Sequence, residues 1–583
     1  MKDIITQRVR EWTSPPYDID TIQEINELIA DNRIKELEER FLCRLEFGTG
    51  GLRGITGAGT NRMNIYTVGM ATQGLANYIL SCGLAEKGVV IARDSRHLSD
   101  TFAHEAARIL SGNGITSYVF RDITPTPFAS FAIREFGAAA GIVITASHNP
   151  PEYNGYKVYW EDGGQITPPH DRNIIDLVNS IESIDQIKKS GFDSSVRDGR
   201  IRIISDTITR AYSERLEQAA FKKKSESDVK IVYTPLHGTG YRIIPDLLRN
   251  FGFGATSVVP EQSVPDGDFP TVKSPNPEEK DAMEMAIRLA SNINADIIMA
   301  TDPDADRMGI GIRDSRGGYT LLNGNQIGAM LEYYILTRMR EKGTLPDNPA
   351  VVKTIVTSDI QKRIADDFGC SIEDVLTGFK WIASKMKEYD ETGSRRFVFG
   401  GEESFGYLPV DFVRDKDAVS ACYFFAEMTD WLHSTGKTLQ GFLDEIYLRY
   451  SLYLEDLHSM TLKGIEGSGK IRNIMDRFRQ DPPSALCGIP VTRIIDYSLQ
   501  TEKDPGTNET RPHTLLPKSN VMQFFMQDGS KVTLRPSGTE PKIKFYFSVN
   551  TGVKEETLES DRKAAAAKLE QVKREFLDMV ATL

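Results

Sequence analysis

Short apolar runs rich in β-branched residues alternate with segments of helical periodicity along most of the chain. Runs of this kind that end in polar or glycine-rich residues lie at 89–94, 141–147, 229–234, 295–302, 351–356 and 396–400. Intervening segments such as 100–111 and 278–291 have helical spacing. This pattern is typical of buried parallel strands joined by helices, so it predicts α/β domains. Ligands of such sheets bind where loops follow the carboxyl ends of strands.

The chain is too long for one core, since 583 residues at roughly 150 per domain give about four domains. We predict α/β domain I with an N-terminal extension at 1–200, α/β domain II at 201–315 and α/β domain III at 316–450. The region 451–583 differs, with strands at 531–534 and 542–547 and a long helix from about Lys554. Its spacing predicts a buried stripe and an α+β domain. The stripe comprises Leu558, Ala565, Leu569, Val572, Phe576 and Val580.

Composition narrows the class of protein. With 40% hydrophobic and 26% charged residues, a largely disordered chain is excluded. The net charge of −12 opposes non-specific binding to nucleic acid or an anionic membrane. Five scattered cysteines without a Cys-x-x-Cys pair fit a reducing cytosol. The N-terminus lacks the apolar core of a signal peptide, so we expect a cytoplasmic protein that partners neither nucleic acid nor membrane.

An acidic motif follows the strand predicted at 295–302. In Thr301-Asp-Pro-Asp-Ala-Asp-Arg307, carboxylates alternate directly after a buried run, so Asp302, Asp304 and Asp306 can converge on one hard divalent cation. An EF-hand is excluded, because Arg307 stands at the glycine position and Arg313 at the glutamate position. A solvated acidic turn remains the alternative.

A serine motif follows the strand predicted at 141–147. In Thr145-Ala-Ser-His-Asn-Pro150, Ser147 lies beside His148, and Gly155 is expected to let the chain fold back to Lys157. Ser147 is thus a candidate nucleophile or phosphoryl carrier. A helix cap at Ser147 and a structural role for His148 remain alternatives.

Three further loops offer binding groups. Arg535-Pro-Ser-Gly-Thr-Glu-Pro541 supplies a guanidinium, hydroxyls and amides for a phosphate dianion. Gly400-Gly-Glu-Glu-Ser404 offers Glu402 and Ser404 to sugar hydroxyls, and the loops ending in Arg53 and Lys380 add cations. Taken alone, the first loop has a β-hairpin turn as its alternative, the Glu402 loop is better explained as a turn, and the two cationic loops have structural glycine turns as their alternative.

Together these motifs resemble the α-D-phosphohexomutase family, the phosphoglucomutases and phosphomannomutases. Four independent motifs stand in the family's order over nearly the whole chain: 145–150 with Lys157, 302–307, 402–404 and 535–541. The segment Phe47-Gly-Thr-Gly-Gly-Leu-Arg53-Gly resembles the N-terminal element of the family. The length of the chain and its segment Gly-Gly-Glu-Glu-Ser-Phe-Gly-Tyr at 400–407 resemble those of the longer bacterial phosphoglucomutase branch.

The resemblance implies three related α/β domains and a C-terminal α+β domain around a central cleft. It implies that Ser147 is a phosphoserine whose phosphate ligates Mg²⁺ with Asp302, Asp304 and Asp306. His148, Lys157 and Arg53 become candidates for proton transfer and charge stabilisation. The substrate residues that it implies are Arg307, Gly378, Lys380, Glu402, Ser404, Arg535, Ser537, Gly538 and Thr539.

The implied reaction interconverts glucose 1-phosphate and glucose 6-phosphate through glucose 1,6-bisphosphate, in a monomer or weak dimer. Activity on mannose or pentose phosphates remains open, as does a non-catalytic sugar-phosphate binding protein on the same scaffold. The domain layout also predicts rotation of the C-terminal domain about a hinge near 450–456, because its loop must release the product.

Overall fold

A computed structural model describes residues 3–48, 50–314, 316–462, 464–537 and 542–582. The chain forms two compact units. The first comprises Met1–Leu322, Ala383–Gly393 and Phe405–Trp431, and the second comprises Asn323–Ile382, Ser394–Ser404 and Leu432–Leu583. These units are coarser than the four predicted domains, whose bounds stay a prediction.

The first unit begins with helices and a mixed sheet of order β1-β5-β4-β2-β3-β6. The β5 strand runs antiparallel to β1 and β4, whereas β2, β3, β4 and β6 are parallel neighbours. Apolar side chains from strands and helices form its core, in agreement with the runs of the sequence. The elements are α1 (Asp3–Glu11), α2 (Ile19–Ala30), α3 (Ile34–Phe41), β1 (Gly51–Ile55), α4 (Ile65–Ser81), β2 (Val89–Arg93), α5 (Ser99–Gly112), β3 (Ser117–Phe120), α6 (Thr126–Phe136), β4 (Ala140–Ile144), β5 (Tyr153–Trp160), α7 (His170–Asn179), α8 (Phe192–Arg197) and β6 (Ile201–Ile204).

A second sheet of the first unit has the order β11-β10-β9-β7-β8. The β7 strand is parallel to β8 and β9, and β10 turns back antiparallel to β9. The acidic motif therefore connects a buried parallel strand to the antiparallel strand beside it. The elements are α9 (Thr207–Ala219), β7 (Ile231–Thr234), α10 (Gly240–Asn250), β8 (Thr256–Val258), α11 (Lys280–Ile293), β9 (Ile297–Thr301), β10 (Met308–Arg313) and β11 (Tyr319–Leu321).

The segment from 324 to 450 passes from the second unit into the first and back twice. Within the second unit, β12 is flanked by the parallel strands β13 and β14. The elements are α12 (Gly324–Lys342), β12 (Pro349–Thr354), α13 (Ile360–Phe368), β13 (Ser371–Val375), α14 (Lys380–Thr392), β14 (Arg396–Glu402), β15 (Gly406–Leu408), α15 (Ala418–Ser434) and α16 (Leu439–Tyr450). All six predicted runs thus contain strands.

The C-terminal part of the second unit is an antiparallel sheet of order β16-β23-β22-β21-β18-β19-β20, with β17 beside β18. Its last helix, α18, confirms the predicted stripe at Ala565, Leu569, Val572, Phe576 and Val580. Leu558 is only half-buried, because it is the first residue of that helix. The elements are β16 (Leu452–Thr461), α17 (Gly464–Gln480), β17 (Ala485–Leu486), β18 (Ile489–Asp496), β19 (Thr501–Lys503), β20 (Thr510–Pro512), β21 (Met522–Met526), β22 (Lys531–Pro536), β23 (Lys542–Thr551) and α18 (Leu558–Ala581).

Helices long and apolar enough to cross a bilayer are absent from the part of the chain that the structure describes.

Candidate functional site

Ser147 lies in the turn that follows β4, in a left-handed backbone conformation. Its φ is +53°, which is unusual for a residue other than glycine, and its amide donates a hydrogen bond of 2.8 Å to Oγ1 of Thr145. The side chain is buried, and its Oγ donates to Oδ2 of Asp302 at 2.7 Å. The helix-cap interpretation of Ser147 is therefore wrong, since no helix of the described chain begins there.

Gly155 brings β5 close to this turn, although in a different way from the one predicted. It lies inside β5, opposite Arg53 of β1, and the chain has already reversed before β5 begins. A Cβ atom at position 155 would lie 2.4 Å from the carbonyl oxygen of Thr145. Gly155 is thus needed for a close approach between strands rather than for the turn itself.

The aspartates of the acidic motif converge as predicted. Ligand oxygens of Asp302, Asp304 and Asp306 lie within 4.8 Å of one another, and all three residues are buried. The loop holds this shape because the backbone amides of Asp306 and Arg307 donate to Oδ1 of Asp302, at 3.2 and 3.0 Å. A solvated acidic turn is excluded by this burial.

The donor set fits a hard divalent cation. Oδ1 of Asp304 and Oδ1 of Asp306 are buried and accept no hydrogen bond from any described residue. Burial, and then the negative charges of Asp304 and Asp306, raise the pKa of Asp302 well above its ordinary value. Clustered carboxylate oxygens with unused lone pairs are the ligands that Mg²⁺ or a similar ion prefers.

Lys157 places an ammonium group against the same carboxylates from β5. Its Nζ lies 2.7 Å from Oδ2 of Asp304 and 3.3 Å from Oδ2 of Asp306. Burial opposes a charge on Lys157, but the two aspartates outweigh it and raise the pKa of the lysine. Burial alone would raise the pKa of Asp304, but the contact with Lys157 outweighs it and lowers that pKa. Lys157 is thus a charge partner of the acidic motif in this structure.

Lys416 is a second ammonium group at the site, and it lies outside the motifs that predicted the other residues. Its Nζ lies 3.1 Å from Oδ2 of Asp306 and 3.2 Å from Oδ1 of Asp415. Asp415 also accepts a hydrogen bond of 2.7 Å from the hydroxyl of Tyr159. One signal was available: Arg-Asp-Lys-Asp at 414–417 sets four charged residues directly before an apolar helix. These six residues form what we call the triplet cluster, after the three aspartates of the acidic motif: Asp302, Asp304, Asp306, Asp415, Lys157 and Lys416.

Three other predicted residues border Ser147 and the acidic motif. Nδ1 of His148 lies 3.3 Å from Oγ of Ser147. Nη1 of Arg53 lies 3.5 Å from Oδ1 of Asn149. Arg307 directs Nη1 to Oε1 of Glu278 at 2.8 Å. The first unit therefore brings together all of its predicted catalytic and metal-ligating residues.

The second unit carries the predicted sugar-binding residues. Glu402 ends β14, and its Oε1 accepts a hydrogen bond of 2.8 Å from the amide of Gly378. Ser404 is half-buried two residues later, and Lys380 begins α14 with its Nζ 5.2 Å from the ring centre of Trp381. Glu402 and the Gly378 loop are thus joined within one unit.

Glu403 differs from its neighbour Glu402. Its Oε2 accepts hydrogen bonds of 3.2 Å from the hydroxyls of Thr354 and Thr357. Burial, and then the charge of Glu402, raise the pKa of Glu403. Glu403, the second glutamate of the pair, therefore fixes the loop to Thr354 and Thr357.

The predicted phosphate loop lies between the antiparallel strands β22 and β23. Nη1 of Arg535 lies 3.4 Å from the hydroxyl of Tyr546, and the amide of Ser537 donates to the carbonyl of Lys542 at 2.7 Å. Gly538 and Thr539 lie outside the described residues.

Family models match most of the chain. Those described as phosphoglucomutase/phosphomannomutase α/β/α domains I, II and III match residues 44–185, 210–317 and 323–450. A phosphoglucomutase of Staphylococcus haemolyticus is 39% identical over 526 residues, which cover 88% of this chain and 92% of the relative. A phosphoglucomutase of Staphylococcus saprophyticus is 36% identical over 533 residues, with coverage of 91% and 95%.

Solved structures share the fold. A phosphoglucomutase/phosphomannomutase family protein from Burkholderia thailandensis has a TM-score of 0.64 at 16% identity, over 91% of this chain and 96% of that one. The open form of parafusin from Paramecium, a phosphoglucomutase, has a TM-score of 0.63 at 16% identity, with coverage of 91% and 95%.

Proposed function

This chain belongs to the phosphoglucomutase/phosphomannomutase family, and on that premise we propose that it interconverts glucose 1-phosphate and glucose 6-phosphate. It is a mutase, an enzyme of the isomerase class. The sequence-based prediction of three α/β domains and a further C-terminal domain is confirmed. The observation that carries the proposal is the hydroxyl of Ser147, held 2.7 Å from a carboxylate of the buried acidic motif.

Ser147 is proposed to store the phosphoryl group. In the first transfer, the bond between Oγ of Ser147 and phosphorus breaks while the free hydroxyl of the hexose monophosphate forms the new phosphorus–oxygen bond. That hydroxyl loses its proton, and the released Oγ takes up one. The product is glucose 1,6-bisphosphate, which turns over and returns its other phosphoryl group to Oγ. The sugar is isomerised and the phosphoserine is regenerated, so the bisphosphate acts as both intermediate and activator.

Asp302, Asp304 and Asp306, with the phosphate on Ser147, are proposed to hold Mg²⁺. When bound, the ion neutralises phosphoryl charge during transfer. The aspartates are buried, and two of their oxygens accept no hydrogen bond within the part of the chain that the structure describes, which supports this ligand set. Positioning and electrostatics then account for most of the catalysis.

His148 and Lys157 are proposed to have different tasks. His148 lies within 3.3 Å of Oγ of Ser147, where a ring nitrogen can exchange a proton with the serine oxygen. Lys157 instead holds two aspartates in place and adds positive charge beside the transferred group. We propose that Arg53 and Arg307 stabilise phosphoryl charge from either side of the Ser147 turn.

The second unit is proposed to bind the rest of the substrate. Glu402 and Ser404 would bind sugar hydroxyls, with Gly378 and Lys380 fixing the orientation of the sugar. Arg535, Ser537, Gly538 and Thr539 would grip the phosphate that is not being transferred. The hydrogen bond between Glu402 and Gly378 supports the joint placement of two of these groups.

The domain bounds 1–200, 201–315, 316–450 and 451–583 are proposed with this function, as is a central cleft that the domains enclose. The family-model ranges 44–185, 210–317 and 323–450 support the first three. A cytoplasmic location, a monomer or weak dimer and a hinge at 450–456 stay predictions.

Two measurements test the proposal. Initial rates on glucose 1-phosphate, mannose 1-phosphate and ribose 1-phosphate, with Mg²⁺ and catalytic glucose 1,6-bisphosphate, should be highest for glucose 1-phosphate. A tenfold preference for another sugar would overturn the substrate assignment. Intact mass should show a species about 80 Da heavier that Ser147→Ala abolishes. An active enzyme that keeps this species after Ser147→Ala would exclude Ser147 as the carrier.

A further inference from the structure

The strained backbone of Ser147 needs support from its surroundings. Non-glycine residues in the left-handed region persist only where neighbouring groups over-determine them. The hydrogen bond from the Ser147 amide to Thr145 fixes one side of the turn. A different group must fix the carbonyl side, since the Oγ atom has to face Asp302 reproducibly for phosphoryl transfer.

Arg96 supplies that support. It is fully buried in the loop after β2, and its guanidinium donates to carbonyl oxygens on both sides of the turn. Nη2 donates to Ser147 at 2.6 Å and also to Asn149, and Nη1 donates to Pro150 at 2.8 Å and to Tyr153 at 2.9 Å. All four N–H bonds of the two terminal nitrogens are therefore directed at this one turn.

The guanidinium is itself held from two directions. Nε faces Oδ2 of Asp94 at 3.3 Å, and Asp94 in turn accepts from Ser99 at 2.8 Å and from the amide of Arg96 at 3.0 Å. The ring of Phe269, which lies between β8 and α11, covers the guanidinium at 4.9 Å from the ring centre. Phe269 is buried and has a φ of +47°.

We propose that Arg96 is a positioning residue for phosphoryl transfer, which holds the backbone of Ser147 so that Oγ meets the metal-binding aspartates. This inference rests on the proposed function. A lysine cannot replace Arg96, because three N–H bonds on one nitrogen cannot reach four divergent carbonyls. Misplacement of a reacting atom by about 1 Å lowers a rate by about 100-fold.

The test compares Arg96→Lys with Arg93→Lys. Arg93 lies three residues earlier, at the end of β2, and is likewise largely buried. It donates to the carbonyls of Phe120 at 2.8 Å and Arg121 at 2.9 Å and pairs with Asp100, so it makes similar contacts away from Ser147. The readouts are kcat, KM, Tm and the rate at which glucose 1,6-bisphosphate adds a phosphoryl group to the protein, followed by intact mass.

We expect Arg96→Lys to lower kcat and the phosphorylation rate together, by about 10- to 100-fold. Its KM should stay within about threefold of wild type and its Tm within a few degrees, and Arg93→Lys should change neither rate. Equal losses in the two variants, or an Arg96→Lys loss explained by unfolded protein alone, would show a merely structural role and overturn the inference.

Two further outcomes are separable. If the wild-type protein neither gains the phosphoryl group nor turns over, the proposed function fails and this inference falls with it. If Arg96→Lys does not fold, Phe269→Leu removes the ring over the guanidinium and decides the question. A severalfold fall in both rates at unchanged KM then supports the positioning role, and wild-type rates contradict it.

Discussion

Two clusters of charged residues, one in each compact unit, differ in how completely their oxygen atoms are paired: the first is buried, whereas the aspartates of the second are partly exposed. In the first unit the triplet cluster sets four carboxylates against two ammonium groups, and two of its oxygens have no hydrogen-bond partner among the described residues. In the second unit, Lys353 and Lys531 face Asp359 and Asp374, in what we call the lysine cluster.

The lysine cluster is balanced. Lys353 lies 3.0 Å from Asp359 and 2.7 Å from Asp374, and Lys531 lies 3.2 Å from the second oxygen of Asp359. Although burial opposes ionisation, both lysines lower the pKa of Asp359. A complete set of partners indicates a structural role, whereas the excess negative charge of the triplet cluster indicates a place for a cation.

The largest effect should come from Asp302→Asn. This change removes a proposed metal ligand and the partner of Ser147, so kcat/KM should fall by about 10³-fold. Thermal stability should hold or rise, because one of three mutually repelling buried carboxylates is neutralised. Steady-state rates and Tm check both parts. Asp359→Asn is the control, and it should leave kcat/KM of the folded protein unchanged; an equal activity loss there would erase the contrast between the clusters.

Lys353→Met should have the opposite effect: it should lower thermal stability and leave activity unchanged. It leaves Asp374 without this partner and Asp359 with Lys531 alone. Because both carboxylates are partly exposed, we expect a loss of about 3 kcal/mol at most and a fall in Tm of a few degrees. Activity per folded molecule should persist. Lys362→Met is the control, since Lys362 pairs with Asp366 at 3.1 Å on an exposed surface and should matter little. Calorimetric scans showing the same small shift for both variants would argue against a stabilising lysine cluster.

Metal binding should stabilise the protein through the triplet cluster alone. At 100 times its Kd, Mg²⁺ should add about 2.7 kcal/mol to the free energy of unfolding, and EDTA should reverse this. The shift in Tm should vanish in Asp302→Asn and persist in Asp359→Asn. An undiminished shift in Asp302→Asn would place the ion elsewhere.

The smallest effect concerns Glu455, which lies beside the lysine cluster. Burial raises the pKa of Glu455 from 4.5 to about 7, although a hydrogen bond from Ser358 opposes this increase. The unfolded chain therefore loses this proton first, so stability falls as pH rises from about 4.5 to 7. Because the residue is half-buried, we expect a decline of about 2 kcal/mol that Glu455→Gln removes. Tm against pH checks this, with the exposed Glu555→Gln as control; parallel curves for wild type and Glu455→Gln would contradict it.

The sequence could predict which side chains lie close together when a single loop or strand contains all of them. Alternation after a buried run placed Asp302, Asp304 and Asp306 together, because one short loop contains all three. The six apolar runs likewise predicted strands of three sheets.

The resemblance implied that Ser147 meets the acidic motif, but other contacts between distant segments escaped prediction. Lys416 meets Asp306 only because a segment more than 100 residues later returns to the first unit, and Arg96 meets the Ser147 turn across 51 residues. The left-handed φ of Ser147 was also invisible, since nothing in a serine beside a histidine signals it. Gly155 was recognised as necessary, but its packing reason depends on the neighbouring strand.

The central claim is that a phosphoryl group on Ser147 touches a divalent ion held by Asp302, Asp304 and Asp306. The most direct measurement is electron–nuclear double resonance on the phosphorylated protein loaded with Mn²⁺. We predict a ³¹P hyperfine coupling that disappears in Ser147→Ala and in Asp302→Asn. Bound Mn²⁺ without a ³¹P coupling in the phosphorylated wild-type protein would contradict the account.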